Sequence, residues 1–336
     1  KTASGHYSTS AAVLEQMRGD HPVVDWILEY RELTKLQSTY VDALPQQINP
    51  ETKRVHTSFN QTGSVTGRLA SSNPNLQNIP IRTELGQQVR KGFIARGSDS
   101  VLLTVDYSQI ELRIVASMSN DDAMLNAFIE GQDIHTATAS AVFSIPIGQV
   151  TREQRRQAKA INFGLIYGMS AFGLSHSTGL TLAESEDFVQ AYFEQFPGVK
   201  YFLDTLRHTA ASKGYVETLL GRRRYFPNLS GHTNSTLRKR EEREAINAPV
   251  QGTAADIMKL AMIQLPLALR KENLNARILL QVHDEFMLEC PKTELEYTAR
   301  IVQNVMENVY RISCPLLTDA RWGINWGEMQ TISHSL

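Results

Sequence analysis

The sequence predicts an α+β fold: one small sheet with a helical subdomain inserted between its strands. Three observations predict it. The β-branched run Val101-Leu102-Leu103-Thr104-Val105 reads as a buried strand ending at Asp106. Helical patterns dominate from about 109 to 213. Residues 278–282 and 286–290 then read as two strands joined by His283-Asp284-Glu285, a hairpin whose tip presents charged side chains.

Taken in order, residues 9–40 read as helix. Thr9 or Ser10 can cap its start, and Val13, Leu14 and Met17 recur at helical spacing. Proline sets a boundary at His21-Pro22, after which Val24, Ile27, Leu28, Leu33 and Leu36 continue the pattern. Residues 46–82 are rich in Asn, Pro, Gly, Thr and Ser and read as a loop-rich connection. Gly221 to Gly231 is a turn-rich break. Helix returns over 241–273, with interruptions expected near Pro249 and at Pro266. A helix around 293–311 and a strand-like Pro315-Leu316-Leu317 close the chain.

With 336 residues, 42% of them hydrophobic, the chain can bury a substantial core in one to three domains. No apolar run comes near the length of a membrane span, and no secretory signal pattern is present. Lys1 in place of Met reads as a fragment or processed product. Cys290 and Cys314 are too few for a disulfide framework and form no CxxC pair, which suits reduced thiols in a cytosolic protein. A net charge of −1 argues mildly against a nucleic-acid partner, but the average hides clusters. Arg152, Arg155, Arg156 and Lys159 form one, Arg222, Arg223 and Arg224 a second, and Arg238, Lys239, Arg240 and Arg243 a third.

Two features carry chemistry. A sheet holds a strand-end carboxylate rigidly while its oxygens stay accessible. Asp106 and Asp284 on neighbouring strands could therefore hold a pair of hard cations roughly 4 Å apart for an in-line displacement. A lone Asp at a strand end is equally what a turn uses, and spacing alone does not bring these two together. The second feature is a helical stripe, Arg155, Lys159, Phe163 and Tyr167, each four positions from the last. Two cations followed by two aromatics suit a nucleoside triphosphate, phosphates against the cations and sugar and base against the rings. The same helix also reads as an ordinary buried face of Ala158, Ile161, Phe163, Leu165 and Ile166 with its basic residues solvated. There is no Walker-type loop.

Read together, these segments resemble the family A DNA polymerases over essentially the whole chain. Asp106-Tyr107-Ser108-Gln109-Ile110-Glu111-Leu112-Arg113 looks like the family's motif A, the run from Arg155 through Gly168 like motif B, and Gln281-Val282-His283-Asp284-Glu285 like motif C. Thr66-Gly67-Arg68-Leu69 with Asn73 to Pro80 matches an upstream signature, and so does Arg243 through Asp256. Val250 departs from the Met expected in close relatives.

The resemblance implies a right hand. A small, mostly antiparallel palm sheet takes 65–114 and 244–336, helical fingers 115–243, a partial helical thumb 1–50 and a connection 51–64. It implies that Asp106, Asp284 and the Tyr107 carbonyl bind two Mg²⁺ ions, with Mn²⁺ as a possible substitute, and that Glu285 is either supportive or a solvated neighbour. Arg155, Lys159, His135 and Gln109 would hold the dNTP phosphates, with Lys159 able to protonate the departing pyrophosphate. Phe163 would pack on the deoxyribose, in a position where Phe in place of Tyr discriminates against dideoxynucleotides. Glu111 would exclude a ribose 2′-hydroxyl while engaging Tyr167, and Tyr167 would stack near the templating position. Arg68, Asn75, Asn78, Arg243, Asn247, Gln251 and His283 would line primer and template, Arg68 and Gln251 reaching minor-groove acceptors. The remaining Lys and Arg would serve phosphates and make binding strongly salt-dependent, while Arg222–Arg224 read as either a solvated turn or a DNA contact. The implied protein is a cytoplasmic, nucleoid-associated monomer acting on primer–template DNA, away from membranes. Three other readings compete: a single-subunit RNA polymerase, a metal-dependent nuclease and a catalytically silent DNA-binding module.

Overall fold

The computed structural model describes residues 5–81, 83–229 and 234–332. They divide into two units, one drawn from Lys1–Asn60, Ser71–Ile94 and Asn325–Glu328, the other from Gln61–Ala70, Ala95–Ile324 and Met329–Leu336.

In the first unit, helix α1 (Ala11–Gln16) has Ser10 at its N-cap position, though the hydroxyl makes no capping bond. Helix α2 (Pro22–Leu36) starts where Pro22 places the boundary, with the His21 ring accepting the Val23 N–H. The single expected helix over 9–40 is thus two, followed by a π-helical turn Gln37–Val41 and α3 (Ala43–Gln46). Strands β1 (Ser58–Asn60) and β2 (Ala70–Ser72) pair within the loop-rich stretch. Helix α4 (Glu84–Lys91), capped by Thr83, was not legible in the sequence pattern. Its Arg90 lies 4.1 Å over the Trp326 ring, which Phe93 meets edge-on.

In the second unit, β3 (Ser100–Tyr107) is the middle strand of a five-stranded sheet. The helical insertion follows: α5 (Ile110–Ser119), α6 (Asp122–Ile129), α7 (Ile134–Val142), α8 (Arg152–Ile166), α9 (Ala171–Thr178), α10 (Leu182–Gln195) and α11 (Pro197–Lys213). Short strands β4 (Tyr215–Glu217) and β5 (Arg223–Tyr225) form a separate pair before α12 (Ser235–Lys271). The sheet is completed by β6 (Arg277–Val282), β7 (Glu285–Pro291), β8 (Thr318–Gly323) and β9 (Gln330–Thr331), with α13 (Leu295–Asn308) between β7 and β8. Strand order is β6-β7-β3-β8-β9 and every pairing is antiparallel. Strand β3 is central because Val101 to Val105 are fully buried and can fill both faces. The core joins Val101, Leu103 and Val105 to Ile114, Val115, Ile161, Leu165, Ile257 and Phe286.

Several expectations need correction. Asp106 lies inside β3, not at its end: the buried Tyr107 hydroxyl donates to the Met306 carbonyl at 2.6 Å and carries the strand past the apolar run. The hairpin turn is His283-Asp284 alone, because Glu285 already pairs with Val282. Helix α12 runs unbroken through Pro249 and Pro266. Each proline forfeits a backbone bond, but Ala245 to Met258 is almost continuously buried, and packing holds the helix where propensity would end it. The last long strand is Thr318–Gly323, one step beyond Pro315-Leu316-Leu317. Helix α12 also reaches membrane-spanning length and apolarity, with a window of mean hydropathy 1.2, although no uninterrupted apolar run predicts this. That window is 56% buried inside the protein, as in the core helix of a folded domain.

Candidate active site

The sheet brings Asp106 and Asp284 together. Asp106 pairs with Glu285 across β7 and with Asp319 across β8, so three acids stand in one row over three strands. Residues directly opposite share a sheet face, where like charges are destabilising. Asp284 is fixed beside them by its own backbone, whose carbonyl accepts the Tyr107 N–H at 3.1 Å. Burial first, then the Asp284 and Asp319 charges, raise the Asp106 carboxyl to about 6, against a smaller opposing pull from Arg321. The group remains open to solvent. Burial raises Asp284 too, with Arg68 and His283 opposing. Gln109 and His283 flank the two acids and both take left-handed backbone, φ 56° and 53°. A non-glycine residue there costs about 1 kcal/mol, strain that functional sites tend to hold.

Asp319 was missed in the sequence. Its only signal is the weak alternation of 318–323, which Trp322 and Gly323 blur.

Above the acids lies an ion cluster. Arg68 Nη2 donates to Glu111 Oε1 at 2.8 Å and stands 3.6 Å from Asp284 Oδ1. Burial raises Glu111 to about 7, with Asp284 adding to the rise and Arg68 opposing it. Arg68 Nε is enclosed and has no acceptor among the described residues. The expected engagement of Glu111 with Tyr167 is absent among the described residues; the carboxylate pairs with Arg68 instead, the nearer full charge.

Helix α8 opens with a capping box between Thr151 and Gln154, which sets the phase of its stripe. Arg155 forks onto Asp133 Oδ2 at 2.8 and 2.5 Å, while Lys159 is exposed and has no carboxylate partner among the described residues. Phe163 and Tyr167 are half-buried, ring centroids 6.4 Å apart, and pack on the core without joining it. His135, only 2% exposed, backs Phe163 at 5.8 Å and meets the Asn162 amide at 3.1 Å through Nδ1. Asp133 has three tasks the sequence did not disclose: it caps α7 through the His135 and Thr136 N–H groups and holds Arg155. Burial pushes its carboxyl up, but the Arg155 and backbone donors outweigh this and hold it below the usual range.

The residues matched to nucleic acid are dispersed. Asn75 and Asn78 lie in the first unit, where the Asn78 carbonyl accepts the Tyr40 hydroxyl. Arg243, Asn247 and Gln251 lie along α12, His283 in the hairpin turn. Arg243 is exposed beside Gly168, which has φ +73° and where a Cβ would come within 3.3 Å of the arginine Cγ. Asn247 Oδ1 is buried and has no hydrogen-bond partner among the described residues. The second basic cluster is paired within the protein: Arg222 with Asp256, Arg223 with Glu217 and Arg224 with Glu244.

Among the described residues no three His, Cys, Asp or Glu side chains gather closely enough to hold a metal alone. Two carboxylates beside a backbone carbonyl still suit a hard cation such as Mg²⁺, which takes few protein oxygens and completes its shell from water and phosphate. The Asp284 charge beside Asp106 is a stress that such a cation would relieve.

Comparison with known proteins accords with this geometry. The model of DNA polymerase family A matches residues 1–328. The chain is 52% identical over 324 residues to the thermostable DNA polymerase I of Thermus aquaticus, covering 96% of this chain and 38% of that protein. It is 49% identical over 326 residues to DNA polymerase I of Geobacillus stearothermophilus, covering 97% and 37%. Among solved structures it resembles the POL domain of Pol1 from M. smegmatis in complex with DNA primer-template and dNTP. There the TM-score is 0.91 at 42% identity, over 97% of this chain and 57% of that one. The chain thus spans less than two fifths of the length of these curated relatives. It belongs to the family A DNA polymerases.

Proposed function

We propose that the chain is the polymerising part of a template-directed DNA polymerase, adding dNTPs to a primer 3′-hydroxyl with release of pyrophosphate. The observation that carries this is the Asp106–Asp284 pair, held in one place by the β3–β7 ladder and crowded by Glu285 and Asp319. A sheet built only for stability would not place those charges side by side. The palm would comprise 65–114 and 244–336, the fingers 115–243, the partial thumb 1–50 and the connection 51–64.

Asp106, Asp284 and the Tyr107 carbonyl would hold two Mg²⁺ ions, or Mn²⁺ in their place. Such ions lower the pKa of the primer hydroxyl and neutralise the leaving pyrophosphate. Glu285 stands next to Asp106 in register and would play a supporting part. Arg155 and Lys159 would grip the triphosphate with Gln109, and Lys159 would hand a proton to the departing oxygen. His135, neutral and buried behind Phe163, would steady the ring that packs on the deoxyribose. Glu111, fixed by Arg68, would fill the space of a ribose 2′-hydroxyl. Tyr167 would lie at the templating position. Arg68, Asn75, Asn78, Arg243, Asn247, Gln251 and His283 would meet primer and template. A monomer in the bacterial cytoplasm, associated with the nucleoid and not with a membrane, completes the proposal.

Primer extension in Mg²⁺ tests it. Asp106→Ala and Asp284→Ala should each lower the extension rate by orders of magnitude, on the order of 10³-fold, with duplex affinity within a few-fold of the parent. Near-parental extension by either variant would overturn the metal assignment.

A further inference from the structure

The second basic cluster, which the catalytic reading leaves unused, connects to the site through a glycine. Asp256 on α12 is buried, with 7% of its side chain exposed, and its Oδ1 accepts from Arg222 Nε at 2.9 Å and Nη2 at 2.5 Å. Its Oδ2 accepts from the Thr218 hydroxyl at 2.9 Å. The same Thr218 hydroxyl accepts the Arg222 N–H at 3.1 Å, and the Leu219 N–H bonds Thr253 on α12. A guanidinium tied at both nitrogens to a buried carboxylate, and at its backbone to that carboxylate's neighbour, has little freedom.

What this fixed group presses on is Gly67. A Cβ added there would lie 2.7 Å from Arg222 Nε and 2.8 Å from Cζ, and the backbone has φ +82°. Only glycine meets both the space and the conformation. The next residue is Arg68, the one cation among the described residues that reaches both Glu111 and Asp284. Gly252 permits the same approach from below, since a Cβ there would meet Thr218 Cγ2 at 2.5 Å.

We propose that Arg222, anchored by Asp256, is a positioning residue: its guanidinium sets the Gly67 backbone and thereby aims Arg68 at Glu111 and Asp284. The inference rests on the polymerase reading for its biological meaning, while its physical content is the coupling of Arg222 to Arg68.

A double-mutant cycle measures that coupling. With Arg68 present, Arg222→Ala should lower kcat/KM for dNTP incorporation about tenfold, and with Arg68→Ala already in place by less than about twofold. A purely local structural role predicts the same loss in both backgrounds. Equal losses, or no loss with Arg68 intact, would overturn the proposal. If Arg222→Ala does not fold, Asp256→Asn replaces it in the same cycle; this variant keeps the shape and removes the anchoring charge. Again the loss must depend on Arg68. Should the unsubstituted chain fail to extend primers, the polymerase reading falls by itself. The cycle is then read in primer–template affinity by anisotropy, where additive losses count against the coupling and Arg68-dependent losses for it.

Discussion

His135 illustrates how burial, not sequence position, sets a residue's chemistry here. Its ring is 2% exposed, and burial, reinforced by the Arg155 and Lys159 charges against the pull of Asp133, lowers its pKa from 6.5 to about 4. An unfolded chain therefore takes up this proton near pH 6.5 and the folded one only near 4, so between those values the unfolded state binds more protons. The contribution to stability is complete above about 6.5 and is lost as pH falls towards 4. Urea midpoints measured from about pH 7 to 4.5 should fall less steeply in His135→Gln than in the parent; parallel slopes would mean that the ring is not held neutral. The contrast with Asp106 explains what could be read beforehand. Asp106 and Asp284 stood out because each adjoins an apolar run that announces a strand. The Asn162 contact to His135 and the Glu111–Arg68 pair arise from residues 27 and 43 positions apart, a separation that no local pattern encodes.

Among the elements, helix ends organise the insertion as much as its apolar faces do. Asp121 caps α6 through Met124 N–H at 3.0 Å and, with its other oxygen, accepts the Gly198 N–H at 2.8 Å in the first turn of α11. Gly198 packs so closely that an added Cβ would lie 3.0 Å from Asp121. One carboxylate thus joins the starts of two helices. Asp121→Ala should cost about 2 kcal/mol, a cap plus a half-buried backbone donor left without its partner, with Asp121→Asn recovering part of it. Denaturant unfolding of the three proteins checks this, and a cost below about 0.5 kcal/mol would mean that the two helices are joined by packing alone. At this scale the helices and the β6–β7 hairpin were legible because periodicity is local. The prolines of α12 misled because a buried environment can carry a helix past a missing donor. Strand β8 was misplaced because the apolar Leu316 and Leu317 precede it, whereas its own residues alternate with Asp319 and Arg321.

For the whole molecule, the net charge of −1 conceals basic clusters that are largely paired internally, which changes what DNA binding should look like. Arg155, Arg156, Arg222, Arg223, Arg224, Arg238 and Arg240 all face carboxylates within the protein. Exposed pairs such as Arg238–Glu242 are worth under about 1 kcal/mol and can open towards a phosphate. Arg224, with 20% of its side chain exposed against Glu244, opens at greater cost. Arg152, Lys159, Lys239 and Arg243 have no acidic partner among the described residues, and two of these are residues that the resemblance assigns to substrate. The strong salt dependence expected from cluster counting should therefore be moderate. Each phosphate contact contributes a slope of about −0.9 in log affinity against log salt, so roughly four contacts give about −4, a loss of a few hundred-fold between about 50 and 200 mM. Arg243→Ala should flatten that slope by about one unit, and Arg224→Ala should leave it unchanged. Titration of a fluorescent primer–template at several salt concentrations measures all three slopes. If Arg224→Ala flattens the line as much as Arg243→Ala does, the internal pairs are opening to meet the phosphates, and the protein's charge is a reserve for DNA and not a means of holding its own fold.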